Sequence, residues 1–254
     1  MKKATLCLLL ATAFNSHLTA GTYVNPKGVI ESDAVAEEGI LNNPDITLSL
    51  GYDSQRFYRG FVIADDDWFF GQLDVIAWPL ENLGLDIQYR QGVTDGGFEE
   101  QDVGVAGLVR LPKGFVFRAG WEWDNYGEGD LFIEDNHLAI LALFHDSRFG
   151  RGVMRWVWDA EFEGDLFELG FQTHPYPLTE RLGVAVQTAI RWNDEFYGVS
   201  DTGLSNVEVG LLAPLQVTEW SRIVPFIRYS EPGEAIDLFT DAGWSGGVTV
   251  QFKF

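Results

Sequence analysis

A chain of 254 residues with 14% aromatics and 28 glycines is long enough for one large folded unit, and too rich in aromatic side chains to stay disordered. Its formal charge of −21 excludes nucleic acid as a partner, because phosphate binding needs a basic surface and this one repels it. Beyond the first twenty residues no stretch approaches the roughly 18 consecutive apolar residues of a membrane-spanning helix, so helical spans are excluded as well.

Residues 1–20 read as a secretory signal peptide. Lys2 and Lys3 precede an apolar run from Ala4 to Phe14, and small residues follow up to Ala20, where cleavage is expected. The sole cysteine, Cys7, lies inside this segment, so the exported chain uses no disulfide. Residues 21–44, with Pro26 and Pro44 and weak periodicity, read as a periplasmic arm or linker.

From Asp45 the chain repeats one pattern: about ten residues alternate apolar with polar or small, and a turn or an acidic loop interrupts. The segments are 45–56, 68–78, 83–93, 102–111, 115–125, 136–145, 152–161, 166–174, 182–192, 204–213, 222–230 and 243–254. In 83–93, for example, Leu83, Leu85, Ile87 and Tyr89 oppose Gly84, Asp86, Gln88 and Arg90. Their even number is what a closed antiparallel barrel with both chain ends on one side requires.

The connections alternate between two kinds. Short ones such as "PLENLG", "LPKG" and "HPYPLTER" are rich in turn residues, and this set carries Lys113, Arg148, Arg151, Arg181 and Arg222. Longer ones such as "TDGGFEEQD" and "DNYGEGDLFIED" hold 24 of the 38 acidic residues and no Lys or Arg. A barrel standing in a membrane has two chemically different ends, with short periplasmic turns and longer extracellular loops. The competing reading is a secreted all-β sandwich with an acidic surface. Aromatics weigh on the membrane side: Trp121, Trp123, Tyr126, Trp156, Trp158, Trp192 and Tyr229 fall near segment ends beside the acidic loops, where a lipid-facing girdle belongs.

The last segment alternates to the final residue. Val248, Val250, Phe252 and Phe254 are expected to face lipid, while Thr249, Gln251 and Lys253 face the lumen, and the strand is expected to pair with the first. A terminal strand of this kind ending in Phe resembles the sorting signal of bacterial outer-membrane barrels. That resemblance implies recognition of Val250, Phe252 and Phe254 by the barrel-assembly machinery.

A second resemblance lies in the first segment. "LSLGYDSQRFYRGF", with Tyr52, Phe57, Tyr58, Arg59 and Gly60, resembles the "Y-x-F-R-G" opening of the TorF-type family of bacterial porins, although Tyr58 stands where Phe is usual. It implies an outer-membrane barrel of about this length with no established substrate. Arg56 and Arg59 are placed to meet lipopolysaccharide phosphates or a ligand carboxylate. The preferred alternative is that they offset Asp65, Asp66 and Asp67 in the next loop.

With the apolar faces turned outward, Arg90, Arg110, Arg118, Arg155, Arg191 and Arg228 point inward from different segments. Asp86, Glu122, Asp124, Asp159, Glu168 and Glu208 point inward too. Opposed rows of charge make the transverse field and constriction by which barrel channels select solutes. The alternative is that they pair with each other and plug a narrow lumen.

Other chemistries fare less well. "ADDD" and "DNYGEGD" match no defined calcium loop, so no dedicated metal site or cofactor is expected, only weak Ca2+ or Mg2+ binding by the acidic loops. His137, His145 and His174 sit at segment ends without a G-x-S-x-G or H-E-x-x-H motif, which leaves a lipid hydrolase poorly supported. The expectation is therefore an all-β protein: a single closed antiparallel transmembrane β-barrel of about 12 strands in a bacterial outer membrane. It would be a non-enzymatic porin-like channel for passive diffusion of small solutes, with lipid and lipopolysaccharide as surroundings. The alternative is a non-conducting barrel whose acidic loops bind a partner or divalent-bridged lipopolysaccharide.

Overall fold

The computed structural model describes residues 44–58, 61–64, 67–97, 99–126, 135–199, 201–236 and 242–254. The expected signal peptide, and all of the arm but Pro44, lie outside them. Twelve strands form the wall. They are β1 (Asp45–Asp53), β2 (Trp68–Leu80), β3 (Leu83–Thr94), β4 (Glu99–Leu111), β5 (Phe115–Tyr126), β6 (Asp135–Ser147), β7 (Gly150–Asp159), β8 (Asp165–Thr173), β9 (Gly183–Asp194), β10 (Gly203–Leu212), β11 (Ser221–Pro232) and β12 (Gly243–Lys253). Each pairs antiparallel with the next, and β12 returns to β1 in a register running from Thr47↔Lys253 to Asp53↔Gly247. The ladder therefore closes on itself and leaves no exposed edge to recruit another strand.

The alternation explains both faces. Leu73, Leu85, Ile87, Val105, Leu141, Met154, Val209 and Ile227 point away from the axis and are 38–47% exposed, whereas their polar neighbours Gln72, Asp86, Glu122, Arg155 and Glu208 are at most 8% exposed. A sandwich would bury the first set against a second sheet and wet the other. Here the oily side chains ring the outside of a closed wall, an arrangement that belongs in lipid, where every backbone polar group must be paired within the wall. On that outer face Trp121, Trp156, Trp192 and Trp244 are exposed, and Tyr52 tilts against Phe69 at 5.4 Å. Tyr126 departs from the expected girdle. Its position shares the inward parity of Glu122 and Asp124, so its ring is buried in the barrel with its hydroxyl 3.0 Å from that of Tyr197.

Turn chemistry sets the short-turn end. Between β4 and β5 the chain reverses through Pro112–Gly114 with Lys113 at φ 65° and Gly114 at φ 78°, a left-handed pair in which glycine carries no steric penalty. A different glycine makes room inside the wall: a Cβ on Gly92 would lie 2.0 Å from the Trp68 ring. That gap lets Trp68 and Phe70 turn inward as a buried pair. At the opposite end, Arg56–Tyr58 and Phe61–Ala64 form a two-stranded hairpin beyond β1.

Candidate functional site

The interior is the candidate site, and ladder register decides which charges meet. Glu168 on β8 stands opposite Arg155 on β7 and Arg191 on β9, and it accepts from both, at 3.1 and 2.6 Å. Arg191 also reaches Glu208 on β10 at 3.4 Å and donates to Asn206 Oδ1 at 3.2 Å. Across small residues of β4, Arg118 on β5 donates to Asp86 on β3 at 2.8 Å and to Gln88 at 3.1 Å. Arg90 contacts Glu100 and Asp102. Arg228 on β11 spans the closing strand to Asp53 on β1 and donates to Ser245 Oγ at 2.7 Å. These ions are buried out of bulk water, so each pair is needed to offset the desolvation of its own members.

The charges do not balance. Ten acidic side chains are buried: Asp53, Asp74, Asp86, Glu100, Asp102, Glu122, Asp124, Asp159, Glu168 and Glu208. Against them stand five buried arginines, namely Arg90, Arg118, Arg155, Arg191 and Arg228, which leaves a surplus of five acids among the described residues.

One sector of the lumen is apolar. The turn Phe196–Gly198 folds inward, and Phe196, Tyr197 and Val199 pack with Ala235 and Ile236 against Leu138, Ile140, Val157 and Leu166 from β6, β7 and β8. Glu195 and Tyr197 hold positive φ of 58° and 56°, a conformation that non-glycine residues keep only when their surroundings fix it. Those surroundings are specific. The Tyr197 N–H donates to Asp159 Oδ2 at 3.1 Å and its hydroxyl donates to Asp124 Oδ2 at 3.2 Å. Asp159 also accepts from Asn136 Nδ2 and from the N–H groups of Glu161 and Phe162.

The opposite sector is less filled, and polar side chains share its lining with apolar ones such as Phe70, Val224 and Phe226. A cavity of about 50 Å³ is lined by Ser49, Gln72, Asp74, Gln187, Thr249 and Gln251 among others. A smaller space of about 30 Å³ lies at the short-turn rim, where Thr47, Ser221, Lys253 and the same Gln251 line it. The larger exceeds the roughly 10–15 Å³ needed to hold a water molecule.

Of the residues singled out by sequence, Arg90, Arg118, Arg155, Arg191, Arg228, Asp86, Glu122, Asp124, Glu168 and Glu208 lie buried inside the wall. Arg110 does not join them. It sits at the short-turn rim, exposed, its guanidinium 3.8 Å from the Trp78 ring and donating to the Glu81 carbonyl at 3.0 Å. The inward parity holds there, but the strand has run out of barrel. At the C-terminus Thr249 and Gln251 are buried while Phe252 stacks on Trp220 at 5.7 Å and Phe254 is 68% exposed. Val250 stands between Leu50 and Ile223 in the ladder. Arg59, Gly60, Asp65, Asp66 and the stretch 127–134 lie outside the described residues. Each of the three described histidines is engaged near a strand end: His137 accepts from Trp121 Nε1 at 3.2 Å, His145 stacks on Phe115 at 4.3 Å, and His174 Nε2 lies 2.7 Å from the Ser147 carbonyl.

Sequence reasoning missed Asp53, Asp74, Glu100, Asp102 and Asn136 on the inner wall. Asp74 and Asp53 share the inward parity of Gln72 and Ser49, a signal that was present in the alternation. Glu100 and Asp102 fall in what reads as an acidic loop, yet β4 begins at Glu99 and carries them into the wall.

No family model and no curated protein matches the sequence, so the resemblance to TorF-type porins is not confirmed. Solved structures match in shape. The KdgM porin in complex with disordered oligogalacturonate superposes with a TM-score of 0.54 at 9% identity, over 82% of this chain and 99% of that one. The NanC porin gives 0.53 at 12% identity, over 82% and 100%. An outer-membrane channel from Pseudomonas putida F1 gives 0.52 at 12% identity, over 87% and 100%. At such identities the likeness shows the fold, that of outer-membrane porin-like barrels.

Proposed function

We propose that the chain is an outer-membrane channel for small solutes with a preference for cations. The observation that carries this reading is the surplus of five buried acids over buried arginines in the barrel interior. In a confined space of low dielectric, fixed charge of one sign raises the local concentration of mobile charge of the other. The less filled sector between β1, β2 and β9 to β12 is the path, since hydroxyls, amides and the charged Asp74, Glu208 and Arg228 stand beside its apolar lining and its cavities meet at Gln251. The opposite sector is closed by the inward turn at Phe196.

The ligand of the KdgM porin does not transfer. Oligogalacturonate is an acidic oligosaccharide, and an interior with net negative charge, approached through loops rich in Asp and Glu, disfavours it. Nor does a hydrolase reading gain from the three described histidines, each engaged at a strand end. Planar-bilayer recording of the refolded protein tests the proposal through conductance and the reversal potential in a salt gradient. Small, cation-selective currents are expected. Anion selectivity would overturn the charge argument, and silence at every voltage would favour the non-conducting barrel.

A further inference from the structure

We propose that the inner wall holds one hard divalent cation, with Ca2+ the best fit in size, at the carboxylates of Asp102, Glu122 and Asp124. Asp102 lies on β4 and the other two on β5, none more than 2% exposed, and one oxygen from each falls within 4.8 Å of the others. Oxygens on opposite sides of Ca2+ stand about 4.6–5.2 Å apart and those around Mg2+ about 4.0–4.2 Å, so a single Ca2+ bridges such a group without drawing the strands together.

A second observation points to the same place. Asn136 on β6 stands directly opposite Asp124 in the ladder, on the inward face and fully buried. Its Nδ2 is committed to Asp159 at 3.1 Å, whereas its Oδ1 accepts no hydrogen bond among the described residues. A buried amide carbonyl without a donor is unfavourable, and an oxygen-seeking cation satisfies it. Three carboxylates and one amide carbonyl form a hard donor set of the kind Ca2+ takes, with water completing the shell.

Charge supports the assignment. Arg90 contacts Glu100 and Asp102, and Arg118 is directed to Asp86 and Gln88. The buried carboxylates of Glu100, Asp102, Glu122 and Asp124 crowd these two neighbouring strands, and a divalent ion offsets part of their mutual repulsion. Tyr197 donates to Asp124 Oδ2 at 3.2 Å, which fixes one oxygen of that carboxylate. The site is distinct from the acidic loops and does not depend on whether the barrel conducts.

Terbium luminescence on the refolded full barrel in detergent tests the proposal. Tyr197 and Tyr126 sit beside the cluster and would sensitise a bound Tb3+, which Ca2+ then displaces. One saturable ion per chain is expected, displaced more effectively by Ca2+ than by Mg2+. Asp124→Asn and Glu122→Gln should each weaken it at least tenfold, while Asp194→Asn and Asp201→Asn at the rim leave it unchanged. Heat-modifiable gel migration confirms that each variant is folded. No saturable signal in the folded wild type, or equal affinity in Asp124→Asn and Glu122→Gln, would overturn the site. Should those variants fail to fold, the wild type decides: one sensitised ion supports the proposal, and several weak ions assign binding to the loops.

Discussion

Arg191 shows what one inward position controls. It is 1% exposed and holds Glu168 and Glu208 on the two neighbouring strands, so one buried positive charge serves both. Replacing it by Met would leave Glu208 without its described arginine and halve the arginine contacts of Glu168, a change of the class that costs about 3–5 kcal/mol. Urea unfolding in phospholipid vesicles should register that loss for Arg191→Met. Arg222→Met serves as the contrast: Arg222 is half-buried near the short-turn rim, where it donates to Gln251 at 2.5 Å, and it should lose no more than about 1 kcal/mol. Equal losses at the two sites would mean that burial is not what makes the interior charges matter. That Arg191 points inward was legible from sequence, because Ile190 and Trp192 flank it with apolar side chains on the other face. Its partners were not, since a register between strands is set by ladder geometry and closure rather than by either strand alone.

At the scale of the strand, the alternating pattern sufficed to place all twelve elements, with ends differing by a few residues where acidic loops turned out to continue the ladder, as at β4. The pattern failed where both faces are apolar. In β6 the run His137 to Phe144 shows no polar side to turn inward, and the structure resolves it by packing Leu138 and Ile140 beneath a turn from much later in the chain. No local signal in β6 names Phe196 as its cover. The outward side of the same strand makes a sharp test, because Leu141 lies at its middle and is 41% exposed. Arg at a lipid-facing position near the bilayer midplane costs about 2–4 kcal/mol. Leu141→Arg should therefore unfold in urea earlier by about that amount in vesicles, while Leu141→Phe should match wild type. If Arg were tolerated as well as Phe, Leu141 would not be facing lipid.

For the whole molecule, the interior divides into an apolar plug on one side and a less filled sector on the other, within a wall whose buried charges are net acidic, and the proposed conduction rests on that division. The plug is a turn held by a few contacts: Tyr197 to Asp124 and Asp159, and Phe196 against Leu138, Val157 and their neighbours. The wall, in contrast, is held by ladders around its full circumference, so removing the two aromatic rings should empty part of the lumen without opening the barrel. In a soluble core each such truncation costs about 3–5 kcal/mol, enough to release the turn from its strained backbone. The double variant Phe196→Ala, Tyr197→Ala should therefore keep its heat-modifiable migration and show single-channel conductance several-fold above wild type. Its preference for cations should persist, because the surplus carboxylates belong to the strands and not to the turn. Unchanged conductance in a folded double variant would mean that the limiting constriction lies in the less filled sector, among Gln72, Gln187 and Gln251. A larger conductance with the selectivity lost would place the charge that selects on the turn side of the lumen, beside Asp124 and Asp159.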